Sequence, residues 1–161
     1  MGGGGYRDRN VDRTMVTPAE IKKALREAEV EVYRTRGDVV YIAERVRENL
    51  LMDSGVFVDA QQAGQPKVGF VVRAQRTDFP GVPDAQLFER ARKLGEPALS
   101  RGYREVGTQL RDVADPGDAE RVIDTWCEIQ FEKPVESIEG AVGEVRFALS
   151  IERAALPGSP G

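Results

Sequence analysis

The stretch Asp115-Pro116-Gly117-Asp118, followed by a two-residue alternation that runs to Pro134, constrains the fold more tightly than any other part of the chain. Proline followed by glycine suits the two central positions of a type II turn, because the proline ring holds its own φ and glycine accepts the positive φ that comes next. Beyond the turn, Ile123, Thr125, Cys127, Ile129 and Phe131 share one strand face, while Asp124, Trp126, Glu128, Gln130 and Glu132 share the other. Residues 103–113 alternate moderately and supply the partner strand, so an antiparallel hairpin is predicted here. Pro134 lacks an amide for the ladder and closes the return strand.

The first helix is marked as clearly. In Thr17-Pro18-Ala19-Glu20 the threonine can cap free amides, proline fits the first helical position and Glu20 completes a capping box. Ile21, Ala24, Leu25, Ala28 and Val32 then follow helical spacing, with Val30 out of step, and the helix is expected to stop near Gly37. Asp38 reads as the cap of a second helix carrying Val39, Ile42, Ala43, Val46 and Leu50, ended by Asp53-Ser54-Gly55. Residues 56–58 and 67–74 are β-branched and aromatic and form a second predicted hairpin across Gly64-Gln65-Pro66. A third helix, entered at Pro83 or Asp84, presents Leu87, Phe88, Ala91 and Leu94 to the core, and Pro97 ends or kinks it. After a turn or short helix around residues 136–143, Val145, Phe147, Leu149 and Ile151 alternate with Glu144, Arg146, Ala148 and Ser150 and predict a last strand. The expected fold is α+β, a mainly antiparallel sheet with about three helices packed on one face. Its one domain covers residues 16–156, between a flexible arm over residues 1–15 and a disordered tail over residues 157–161.

The 161 residues can bury a sizeable core. The residue counts exclude whole classes of chemistry. There is no histidine, which removes the commonest general acid/base and metal ligand and rules out a Ser-His-Asp or Cys-His arrangement. Cys127 is the only cysteine, so neither an internal disulfide nor a Cys-based zinc site can form within one chain. The 27 acidic and 23 basic residues are spread along the chain without a basic field for nucleic acid. Apolar runs are far short of the roughly 20 residues that cross a bilayer, and nothing near Met1 resembles a signal-peptide core, so a protein kept in the cytoplasm is expected unless it is built into a particle.

Among individual residues, Trp126 faces away from the apolar alternation and is the leading candidate for an interaction site, with a core position beneath a covering helix weighed about equally. Tyr6, Arg7 and Arg9 in the arm are candidates for reaching a neighbouring subunit. The arm could equally meet a nucleic-acid phosphate, but two aspartates among its three arginines weaken either role, and an inert tail outweighs both. Cys127, on the apolar face, reads as a buried structural thiol. Asp124, Glu128 and Glu132 lie on one strand face, where alternation alone accounts for the spacing, so a solvated face outweighs paired catalytic carboxylates or a cation site. Gly2 to Gly5 lack the strand, helix and lysine of a phosphate loop. No catalytic residue, metal site, cofactor or small-molecule substrate is expected.

Over residues 67–133 the chain resembles the tail-terminator, or tail-completion, proteins of long-tailed bacteriophages. The likeness lies in a strand ending at Val71-Val72-Arg73-Ala74, a Val82-Pro83-Asp84 entry to a helix with Leu87 and Phe88, and Gly102-Tyr103 opening a hairpin whose return strand carries Trp126. The chain departs from that pattern in the two helices expected before the first hairpin and the strand expected after the last. Its opening is also similar to head-tail connector proteins of the neck. The resemblance implies a non-enzymatic virion part that forms a homo-oligomeric ring, most often a hexamer, and binds other virion proteins. The alternative is a small cytoplasmic module, such as a chaperone-like dimer, that holds a peptide or protein on the Trp126 face.

Overall fold

A computed structural model describes residues 16–61 and 65–157. The arm with Tyr6, Arg7 and Arg9 and the tail beyond Pro157 lie outside the described residues. The elements in chain order are α1 (Pro18–Glu27), β1 (Val32–Arg36), β2 (Val39–Arg47), β3 (Leu50–Asp59), β4 (Lys67–Gln75), α2 (Asp84–Leu94), α3 (Glu96–Leu99), β5 (Arg104–Asp115), β6 (Asp118–Pro134) and α4 (Ile138–Ser150), with a 3₁₀ turn at Arg76–Asp78. The strands form one antiparallel sheet in the order β1-β2-β3-β4-β6-β5, and the fold is α+β. Two compact units divide the chain: one up to Gly69 together with Lys133–Leu149, the other Phe70–Glu132 together with the segment from Ser150.

In the first unit α1 starts as expected, with Thr17 Oγ1 accepting from the Glu20 amide (3.2 Å) and Glu20 returning a carboxylate to the Thr17 amide (3.2 Å). It buries Ile21 and Leu25 and packs against β1 and β2. The helix stops at Glu27, ten residues before Gly37. Glu29 takes φ 62°, and the amides of Glu29 and Val30 bond back to Arg26 and Leu25 in a Schellman closure. That left-handed position is normally filled by glycine, so glutamate there left the stop unmarked in the sequence.

The expected second helix is instead strand: Val39, Ile42, Ala43 and Val46 lie in β2, and Leu50 opens β3. Gly37, at φ 60°, and Asp38 form the two-residue hairpin turn between β1 and β2, with Arg36 opposite Val39. The β-branched content of residues 32–46 and the burial of Val40 and Ile42, two apart, outweigh the helical spacing of the other apolar residues. β3 and β4 lie next to each other in the sheet, as expected, and Gly64 of the expected turn lies outside the described residues. Gly69 in β4 lies under the Phe57 ring, where a Cβ would clash with it.

The last predicted strand is also corrected. Val145, Phe147, Leu149 and their neighbours form α4, which buries Ala141, Glu144, Val145 and Ala148, the i, i+3, i+4, i+7 pattern of one helix face. Ser137 starts it by accepting from the Gly140 amide (2.9 Å), and Lys133 Nζ donates to Glu144 (2.9 Å), which allows a carboxylate inside. The alternation was real but shared its residues with a helical stripe. Arg146 reaches from α4 to the Ala28 carbonyl at the end of α1 (2.8 Å).

The second unit holds the predicted β5–β6 hairpin, turned at Asp115–Asp118, with β6 closing at Pro134, but Gly117 does not take the positive φ of the expected type II turn and its amide instead donates to Asp115 Oδ1 (2.8 Å). α2 buries Leu87 and Ala91, while Phe88 and Leu94 are only half-buried. Gly95 ends α2, and Pro97 sits in the first turn of α3, where its missing amide costs nothing. Phe70, Tyr103 and Phe131 form the centre, with Phe70 stacked on Phe131 (5.3 Å between centroids, 12° between planes) and Tyr103 edge-on to Phe70 (5.3 Å). The chain returns through Ala154, which bridges Arg73 of β4 in parallel.

Candidate functional site

Trp126 lies on the face of β6 opposite the aromatic core. Alternation places it there, opposite Arg111 of β5. It is half-buried, intermediate between the exposed and core positions weighed from the sequence. The Arg73 guanidinium lies 4.4 Å from the Trp126 ring centroid, a cation–π contact that covers one side of the indole. The indole Nε1–H donates to Asp124 Oδ2 (3.0 Å).

Asp124 is the hub of this arrangement. Its Oδ1 accepts from the Thr77 amide (3.1 Å) and the Thr125 amide (2.8 Å), and its Oδ2 accepts from the Thr77 hydroxyl (3.0 Å) as well as from Trp126. Partial burial pushes its pKa up, but the bonds from the Thr77 and Thr125 amides, the indole and the Thr77 hydroxyl together hold it below the ordinary aspartate value. An ionised Asp124 thereby fixes the Trp126 rotamer and ties the turn after β4 to β6.

Further along the same face, Glu128 is buried, contrary to the solvated face expected from alternation. Arg111 Nε donates to it (3.0 Å), and that diagonal cross-strand pair offsets the cost of taking a carboxylate out of water. Glu132 accepts from the Gln130 amide nitrogen (2.8 Å). Among the described residues no group of three or more acids or cysteines is placed to hold a metal ion. Val71, Val106, Gly107, Thr108, Gln109, Arg111, Glu128 and Gln130 line a shallow groove of about 200 Å³. That is below the roughly 300–1,000 Å³ of sites that enclose a small molecule.

On the opposite face Cys127 is fully buried, and burial pushes its thiol pKa up against a smaller opposing pull from Arg76. It is a structural thiol, as expected. Beyond Cys127 the core face of the hairpin loses its cover. β5 has no buried residue, and three apolar side chains of the hairpin stand in the open: Leu110, opposite Cys127, and Val122 and Ile123, nearer the turn, are 52%, 52% and 43% exposed. The distal half of the β2–β3 hairpin is likewise uncovered at Val46, Leu50, Leu51 and Met52.

Sequence reasoning found Trp126 but not Thr77, Arg73 or Arg111, which define its surroundings. Thr77 is 47 residues from Asp124 in the chain, and no local pattern links them. No helix among the described residues is long and apolar enough to cross a membrane. No protein-family model, no curated protein and no solved structure matches this chain.

Proposed function

We propose that this chain is a non-enzymatic assembly protein that forms a ring by homo-oligomerisation, of the tail-terminator or neck class of tailed-phage proteins, working in a virion. The observation that carries the reading is the set of exposed apolar side chains on the β5–β6 hairpin, Leu110, Val122 and Ile123. Large apolar side chains gathered in the open on one element mark a surface that something binds. A second exposed set on the β2–β3 hairpin gives the protomer two different surfaces, as a head-to-tail ring requires. The resemblance over residues 67–133 points the same way, and the absence of histidine is compatible with a part that carries no acid/base chemistry.

The test is the solution mass over a concentration series, by light scattering after size exclusion. A discrete closed species, or a monomer that shifts toward one as concentration rises, is expected. A mass of 17.7 kDa at every concentration refutes the reading. The second reading, a peptide-holding module, is favoured by the groove beside Arg111 and Glu128. Trp126 is the only tryptophan, so a peptide bound there shifts the intrinsic fluorescence of a protein that stays monomeric.

A further inference from the structure

The two end strands of the sheet are β1 and β5. An end strand presents a row of N–H and C=O groups with no ladder partner on its outer side, and folded proteins usually blunt such a row with lysine, proline or a very short strand. β5 uses none of these. Its twelve residues include neither lysine nor proline, and none is buried. Bulges interrupt it near Val106 and Ala114, but between them Gly107–Val113 run opposite Asp124–Gln130 in unbroken register. That leaves a regular outer edge of seven residues, longer than the five of β1.

The two edges also differ in charge. β1, Val-Tyr-Arg-Thr-Arg, carries Arg34 and Arg36 and no acid, and it is exposed from Tyr33 onward. The Arg34 guanidinium lies 5.7 Å from the Tyr33 centroid and 5.5 Å from that of Tyr41, which keeps it beside the strand. The distal half of β5 carries Asp112 and Asp115 against Arg111, and the adjoining end of β6 adds Asp118 and Glu120 against Arg121. Two β1 edges brought together would set arginines against each other, whereas β1 against the distal end of β5 sets opposite charges together.

We infer that β1 of one copy adds to the β5 edge of the next, so that the sheets of neighbouring copies join through main-chain hydrogen bonds. This rests on the assembly reading and names the contact that builds it. A contact between two different edges is heterologous and repeats head to tail, leaving no free edge once the ring closes. The exposed Leu110 is covered by the same event.

The experiment uses two blocked variants of the full chain, Thr35→Pro on β1, where an edge proline blunts the strand, and Leu110→Lys with Asp112→Lys on β5, each checked for folding by circular dichroism. At concentrations where the wild type assembles, each variant alone is expected to fall to the mass of one chain. An equal mixture retains one good β5 edge and one good β1 edge, so it is expected to give a dimer at twice the single-chain mass and nothing larger. Amide exchange on the unmodified protein checks the same contact without substitutions: Val32–Arg36 and Arg104–Asp115 should both gain at least tenfold protection on going from dilute to assembled protein. If the wild type assembles while both variants assemble equally well, or neither edge gains protection, the edge contact is wrong and the assembly reading stands. Dimers of the β1 variant alone would indicate a symmetric β5–β5 contact and overturn the inference. A wild type that stays a single chain at all concentrations overturns both.

Discussion

Gly95→Ala is expected to destabilise the chain even though alanine is the better residue for a helix. Gly95 has φ −87° and ψ −6°, which any residue can adopt, so backbone conformation does not require glycine there. Space does: a Cβ built at Gly95 falls within contact distance of Cζ, Cε1 and Cε2 of Phe131, the last at 2.8 Å. Phe131 is fully buried and stacked on Phe70, so its ring cannot swing aside without disturbing the centre of the second unit. Overpacking of this kind costs about 1–3 kcal/mol. The smaller conformational freedom of alanine in the unfolded chain returns about 0.4–1 kcal/mol. The central net loss is therefore about 1.3 kcal/mol, with an upper end of about 2.6 kcal/mol, or roughly 3–5 °C in Tm for the central value at about 2–4 °C per kcal/mol for a chain of this size. Urea and thermal melts of Gly95→Ala, Phe131→Leu and the double variant measure it. Phe131→Leu alone opens a cavity and costs about 1–2 kcal/mol. In the double variant the leucine makes room for the new methyl, so the combined loss falls short of the sum by at least about 0.5 kcal/mol. A Gly95→Ala protein as stable as the wild type, or strictly additive losses, would refute the steric argument.

Other expectations follow from single contacts. Asp124→Asn keeps the shape but leaves one oxygen to accept from Thr77, Thr125 and Trp126, and it is expected to cost about 1–3 kcal/mol at pH 7. Because Asp124 has its pKa lowered in the folded state, its contribution is complete above the unfolded aspartate value of about 3.9 and is lost as pH falls through the folded value. The gap between wild type and Asp124→Asn in urea melts should therefore close on acidification, and a gap independent of pH would contradict the role of the charge. Cys127 should resist an aromatic disulfide reagent in the native protein and react as one thiol per chain after unfolding, so rapid native labelling would show that it is not buried. Thr17→Ala removes the Oγ1 that accepts from the Glu20 amide, while the backbone amide of residue 17 can still donate to Glu20, and it should cost about 1 kcal/mol in thermal melts, with no effect if α1 frays at that end anyway.

How much of this was legible in the residues depends on whether the deciding interaction is local. The start of α1 is written in Thr17-Pro18-Ala19-Glu20, because a cap and a staggered carboxylate act within four residues. The β5–β6 hairpin is written in its turn and its two-residue alternation, because strand register follows from which face is apolar. From these, the α+β class, the burial of Cys127 and the position of Trp126 away from the core could be read directly. Where two periodicities fitted one stretch, the sequence could not choose. Residues 39–50 satisfy helical spacing and became strands, since β1 and β3 were available on either side to pair with β2. Residues 144–151 alternate and became a helix, since one face of it could be buried and Lys133 could neutralise Glu144 inside. The Trp126 site was decided later still. Thr77 and Arg73 reach it only because the strands bring β4 beside β6, so the hydrogen bonds that ionise Asp124 and hold the indole depend on distances that exist only in the folded chain.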